Sequence, residues 1–265
     1  HQGTAIGRAG NVSGAKIKNI NNAMLSEAQR ENRFGLLQSL NRIQTESSLD
    51  DNLEATISNY ELAWRMQMEA PELTDLSKET AATKSIYGID EKHTDDFGKQ
   101  CLLARRMVER GVRFVSVNYS DESANPRWDQ HGNMPKHADH ARATDKPVAG
   151  LLQDLKARGL LEDTLVWWGG EFGRTPFSQN KNGRDHNPRG FTVFLAGGGV
   201  KPGISYGSTD EIGGTAVDDR VHMHDLHATI LYALGLDHEQ LTYRHSGRDF
   251  RLTDVAGKIV HRLFS

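Results

Sequence analysis

The chain has 265 residues, of which 37% are hydrophobic and 25% charged, with a net charge of −3. That is enough apolar material for one large domain or two small ones, and charges of both signs spread along the chain exclude the basic footprint of a nucleic-acid binder. No run of about eighteen apolar residues occurs, so no membrane span is expected, and the single cysteine, Cys101, excludes an internal disulfide and any multi-cysteine zinc site.

The chain opens on "HQGTAIGRAGNVSG", which lacks the apolar stretch of a signal peptide. Residues 1 to 20 read as loop, and a start at His1 rather than Met leads us to expect that a preceding piece has been removed. Residues 21–44 carry apolar residues at helical spacing, with Leu36, Leu37, Leu40 and Ile43 on one side. A second helix is expected over 50–70, started by Asp50 or Asp51 and stopped by Pro71. "DLSKET", from Asp75, suggests a short third. This first third, residues 1–84, is expected to be a helical segment packed on the rest as an insertion.

The pattern changes over residues 85–265. A helix over 94–111 ends at Gly111 and carries Cys101 on its apolar side, as a core residue. "VRFVSVNY", 112–119, has the composition of a strand. A further helix ends near Gly159. "DTLVWWGG", 163–170, and "GFTVFLAGGG", 190–199, read as continuous apolar strands. A helix follows over 224–236, and "DVAGKIVHRLF" is expected to close the chain as a helix. Strands alternating with helices in this way predict an α/β fold, a mostly parallel sheet with helices on both faces. In such sheets ligands gather beyond the carboxyl ends of the strands.

Polar chemistry does gather after the expected strands. The segment after 112–119 contributes Asp129, His131, His137 and His140; the segment after 163–170 contributes Glu171, Arg174, Arg184, Asp185 and His186; "VHMHDLH" adds His222, His224 and His227. Carboxylate with imidazole suits zinc, manganese or iron, while harder cations such as calcium want more oxygens. A divalent ion (zinc, calcium or manganese) is therefore the expected cofactor, with its ligands among these carboxylates and imidazoles. Arg174 and Arg184 could grip an anionic phosphate or sulfate, with His222 and His224 on the same rim. The plainer readings are a solvated loop pair for Asp129 and His131, a rim or surface role for His137 and His140, and a packed, hydrogen-bonded His227. "AGGGVKPG" lacks the spacing of a phosphate-cradling loop and reads as a turn after a strand.

"FGKQCLLARRMVERGVRFVSV", "WDQHG", "EDTLVWWGGEFGRTP", "GRDHNPRGFTVFLAGGGVKPG" and "VHMHDLHATILYALGLDHEQLTYRHSGRDFRLTDV" resemble the bacterial family catalogued as domain of unknown function fifteen hundred and one. That family is secreted and similar to the alkaline phosphatase and sulfatase superfamily. The resemblance implies an alkaline-phosphatase-like fold, incomplete at its N-terminus, since the superfamily's nucleophile strand has no counterpart before residue 112. It also implies one ion held by Asp129, His131 and His186, with Glu171 facing a second position and Phe172 where a further ligand would stand. A periplasmic or extracellular home follows by resemblance alone.

The function expected from these readings is metal-dependent hydrolysis of a sulfate or phosphate ester, a sulfated glycan among the substrates, with Arg174 and Glu171 as catalytic groups. The alternative is a non-catalytic relative, a binding or structural module whose partner is another protein or an N-terminal segment of the same one. Phe172 and the absent nucleophile motivate it.

Overall fold

In a computed structural model, the residues described are 5–6, 24–47, 51–121, 123 and 126–264. The loop expected over 1–20 lies outside them apart from residues 5–6, and so does Asp50.

Helices α1 (Glu27–Ser47) and α2 (Asp51–Thr74) form a hairpin in which Phe34 stacks on Trp64, ring centroids 4.6 Å apart. Leu36, Leu37, Leu40 and Ile43 of α1 are all exposed. Pro71 does not stop α2. The helix runs on to Thr74 because Arg106 takes over its last carbonyls, with Nε donating to Leu73 O at 2.8 Å and Nη2 to Glu72 O at 2.7 Å. Asp75 then caps a 3-10 turn, Leu76–Lys78, and Thr80 caps α3 (Ala81–Ile86), each accepting a backbone N–H at 3.0 Å.

Helices α4 (Asp95–Glu109) and α5 (Lys136–Ala157) pack on each other and carry the core. One face of α4 places Phe97, Cys101 and Leu102 with Tyr87 and Ile89, ringed by Val148 and Leu151 of α5 and by Trp168. Its neighbouring face places Leu103 and Met107 against Leu73 of α2. Each such large apolar side chain stabilises the fold by about 1.5–3 kcal/mol. Gly150 lets α5 meet the end of α3: a Cβ there would lie 2.4 Å from the Ile86 carbonyl oxygen.

A charged network lies under the same helices. Arg105, its side chain only 2% exposed, donates from Nη2 to Glu79 at 2.9 Å and from Nη1 to Glu109 at 2.6 Å. Its Nε lies 2.9 Å from Asp154 Oδ2 as an ion pair outside hydrogen-bonding geometry. Tyr87 donates to the same oxygen at 3.0 Å, and Arg158 Nε donates to Oδ1 at 2.7 Å.

The strands overturn the expected architecture. Among the described residues there are four separate two-stranded antiparallel sheets and no parallel pair: β1 (Val166–Trp168) with β4 (Phe194–Ala196), β2 (Gly173–Arg174) with β3 (His186–Asn187), β5 (Ser208–Thr209) with β6 (Ala216–Asp218), and β7 (Thr242–His245) with β8 (Arg248–Arg251). The chain is therefore not a mostly parallel sheet covered on both faces, and the alkaline-phosphatase-like fold is not what it adopts.

The segment 112–119 shows why. It is assigned to no strand, and its burial alternates, with Val115, Val117 and Tyr119 half-buried and Phe114 79% exposed. An apolar run covered on one side by a helix has the composition of a strand covered on both. Composition does not distinguish them, because the hydrogen-bonded neighbour is not written in the run itself. The closing helix is also absent: Asp254 and Gly257 take positive φ, and only a 3-10 turn, His261–Leu263, forms. Gly197, Gly198 and Gly199 end β4 with three positive φ values in a turn. No described helix is long and apolar enough to cross a membrane.

Candidate metal centre

Two loops meet to make the centre. The first, around 128–134, turns at Trp128, whose φ of +74° is the left-handed region that side chains with a Cβ rarely adopt. The surroundings hold it there. The Trp128 ring lies 6.1 Å from that of Tyr119 and 5.2 Å from those of His137 and His140, and His137 Nε2 is 3.1 Å from the Trp128 carbonyl oxygen. His137 and His140 thus serve from the first turns of α5, packed against the residue that precedes Asp129.

The second loop joins β2 to β3, where Arg174 pairs with His186 across the ladder. It is closed by reciprocal backbone hydrogen bonds between Gln179 and Gly183, at 2.9 and 2.8 Å, with Asn180 and Lys181 at positive φ in its tip. It docks on the first loop through Arg184 N–H to Gln130 O at 3.2 Å and Met134 N–H to Asn182 O at 3.3 Å. The approach is closest at Gly183, where a Cβ would fall 1.9 Å from the His131 carbonyl oxygen.

This docking brings Asp129, His131 and His186 together, the group of described residues able to hold a metal ion. Asp129 Oδ1 is 3.0 Å from His131 Nε2 and 3.0 Å from His186 Nε2, and the two Nε2 atoms are 3.1 Å apart. Three donors on a triangle of that size fit one cation at ordinary bond lengths of about 2.0–2.2 Å. Two imidazoles and one carboxylate is the donor mixture of transition metals rather than of calcium. Arg174 Nη2 donates to Asp129 Oδ1 at 2.6 Å. The His186 hydrogen bond, followed by that from Arg174, holds the Asp129 carboxyl down at about 2 against the opposing effect of burial. The His186 ring is backed by Phe172, centroids 4.2 Å apart.

The other residues expected at the site stand elsewhere or act differently. Glu171 is exposed and does not belong to the three-residue group. Arg184 contributes its backbone to the docking, while its side chain turns to Gly183 O at 2.8 Å and to Ser178 at 3.5 Å. His222 and His224 form a stacked pair, 4.9 Å apart, at the start of α6 (Met223–Ala233); His222 caps that helix and His224 Nδ1 lies 2.9 Å from Thr253 O. They are likewise outside the group. His227 is exposed beside Trp167 rather than packed within the helix. Cys101 is buried, and burial pushes its thiol up to about 12, so it supplies no nucleophile. Sequence reasoning did not find Gln179, Gly183 or the Trp128 cage: a lone amide, glycine or tryptophan in a polar loop has no periodicity to mark it.

A family model described as "Protein of unknown function (DUF1501)" matches residues 1–264, and the chain belongs to that family. No curated protein and no solved structure matches it.

Proposed function

We propose that this protein is an exported, metal-dependent hydrolase of sulfate or phosphate esters. The observation that carries the reading is the convergence of Asp129, His131 and His186 on one point, with ligand atoms all within 4.8 Å of one another. These three residues would hold a divalent ion, zinc or manganese before calcium. A bound divalent ion supplies Lewis-acid polarisation of an ester oxygen. Arg174 fixes the orientation of Asp129 and adds positive charge for an anionic ester, including a sulfated glycan. The ester chemistry is supported by the pairing of this donor set with the Arg174 guanidinium, and the periplasmic or extracellular location is part of the proposal, carried over from the resemblance of the quoted motifs alone.

The experiment is hydrolysis of aryl sulfates and aryl phosphates by the zinc- or manganese-loaded protein, before and after chelation. Turnover that disappears on chelation and in His131→Ala, by at least about a hundredfold, is the expected result. Turnover indifferent to both would defeat the proposal. A second reading, a non-catalytic binding module, is favoured by the apolar Phe172 ring tilted against His186; metal binding and tight uptake of a sulfated glycan without turnover would establish it instead.

A further inference from the structure

The geometry points to Gln179 as a positioning residue that sets which nitrogen of His131 carries the proton, an inference that rests on the metal-centre reading above. His131 Nδ1 lies 2.7 Å from Gln179 Oε1. A carbonyl oxygen only accepts, so Nδ1 carries the hydrogen and donates it. In a neutral imidazole the lone pair then sits at Nε2, the atom 3.0 Å from Asp129 Oδ1 and 3.1 Å from His186 Nε2. The hydrogen bond made by one ring nitrogen thus decides that the other is free to ligate.

The placement of Gln179 is over-determined. Its backbone N–H donates to Gly183 O, and its carbonyl accepts from Gly183 N–H. Gly183 in turn rests on the His131 carbonyl without room for a Cβ. The amide is therefore delivered to His131 by the same turn that touches the His131 backbone. Among the described residues, Asp185 Oδ1 is 3.8 Å from His131 Nδ1, beyond hydrogen-bond reach, and already accepts the His186 N–H at 2.8 Å, while Asp129 Oδ1 lies 3.0 Å from His131 Nε2 outside hydrogen-bonding geometry. A neutral amide orients His131 without adding a second negative charge, so Asp129 remains the one anionic donor of the group and a bound dication keeps its Lewis acidity. A carboxylate in the same place would make the imidazole more basic.

The test uses the ¹⁵N-labelled full chain, metal-free after chelation, with spectra taken over a pH series. The ring nitrogen shifts of His131 report the tautomer directly. The wild type shows the Nδ1–H form. Gln179→Met, near in length and shape but without the acceptor, loses it and binds zinc about 10–100-fold more weakly. Gln179→Glu restores both the tautomer and the affinity, and Asp185→Asn behaves as the wild type. A Gln179→Met protein that keeps the Nδ1–H form overturns the inference, and so does conversion by Asp185→Asn in place of Gln179→Met. Failure of the wild type to bind zinc at all, with the tautomer switch intact, would defeat the metal-centre reading and leave the role of Gln179 standing.

Discussion

Arg105→Ala lowers the unfolding free energy by about 3–5 kcal/mol, the cost of removing one partner from a buried charge cluster. Arg105 reaches Glu79, Glu109 and Asp154 with one guanidinium, and the side chains of Glu79 and Asp154 are themselves almost fully covered. Without Arg105, two buried carboxylates depend on the cations that remain, Arg106 for Glu79 and Arg158 for Asp154. Denaturant unfolding reads the loss as a lower midpoint with an unchanged slope. Arg158→Ala is the contrast: its side chain is 34% exposed, and its loss costs about 1 kcal/mol or less.

The same cluster sets an acid limit. Burial alone would raise the Glu79 carboxyl, but the hydrogen bond from Arg106 and the charge of Arg105 outweigh it and hold the group below its ordinary 4.5. A carboxyl depressed in the folded state adds stability that is present in full above the unfolded value and is lost as pH falls through the folded one. The wild type therefore weakens below about pH 4.5 as Glu79 takes up its proton.

Gly183→Ala weakens zinc binding by at least about a hundredfold while costing the fold about 1–2 kcal/mol. The added Cβ would lie 1.9 Å from the His131 carbonyl oxygen, 2.0 Å from its carbon and 2.4 Å from Gly132 N. All three are backbone atoms, so no side-chain rotation relieves the clash and the β2–β3 loop must withdraw. The hydrogen bonds from Arg184 N–H to Gln130 O and from His131 to Gln179 go with it. The core under α4 is remote in kind and is untouched. Gly132→Ala, with nothing within 4 Å of its Cβ, is the neutral control. Zinc titration beside denaturant unfolding separates the two effects; zinc binding unchanged in Gly183→Ala would mean that loop docking does not hold the site.

The helices were the most legible part of the fold. The apolar spacing of 94–111 predicts α4 within two residues, because Phe97, Cys101, Leu102 and Met107 face a core at helical period. The start of α5 was less legible: the helix begins at Lys136, where "KHADHARA" has too few apolar residues to show a period. The sheet was misread because "VRFVSVNY" and "DTLVWWGG" state their hydrophobicity but not their neighbours. A short antiparallel pair such as β1–β4 needs only three residues of each run.

At the site, residue type marked a wider set of carboxylates and imidazoles after the apolar segments, and the resemblance of the motifs narrowed it to Asp129, His131 and His186, although 55 positions separate the two histidines. Glu171 carried the same sequence signal and lies outside the group. Its neighbour Phe172, a poor candidate by chemistry, is the residue that backs His186. Which of two adjacent side chains turns inward is decided by the β2–β3 hairpin, and the local sequence holds no term for that.

The most direct measurement is calorimetric titration of zinc into the chelator-treated full chain, set beside Asp129→Ala and His186→Ala. A single saturating site is expected in the wild type and is lost in both variants, each of which remains folded because these side chains lie outside the core. No heat of binding in the wild type, or a site that survives His186→Ala, would contradict it.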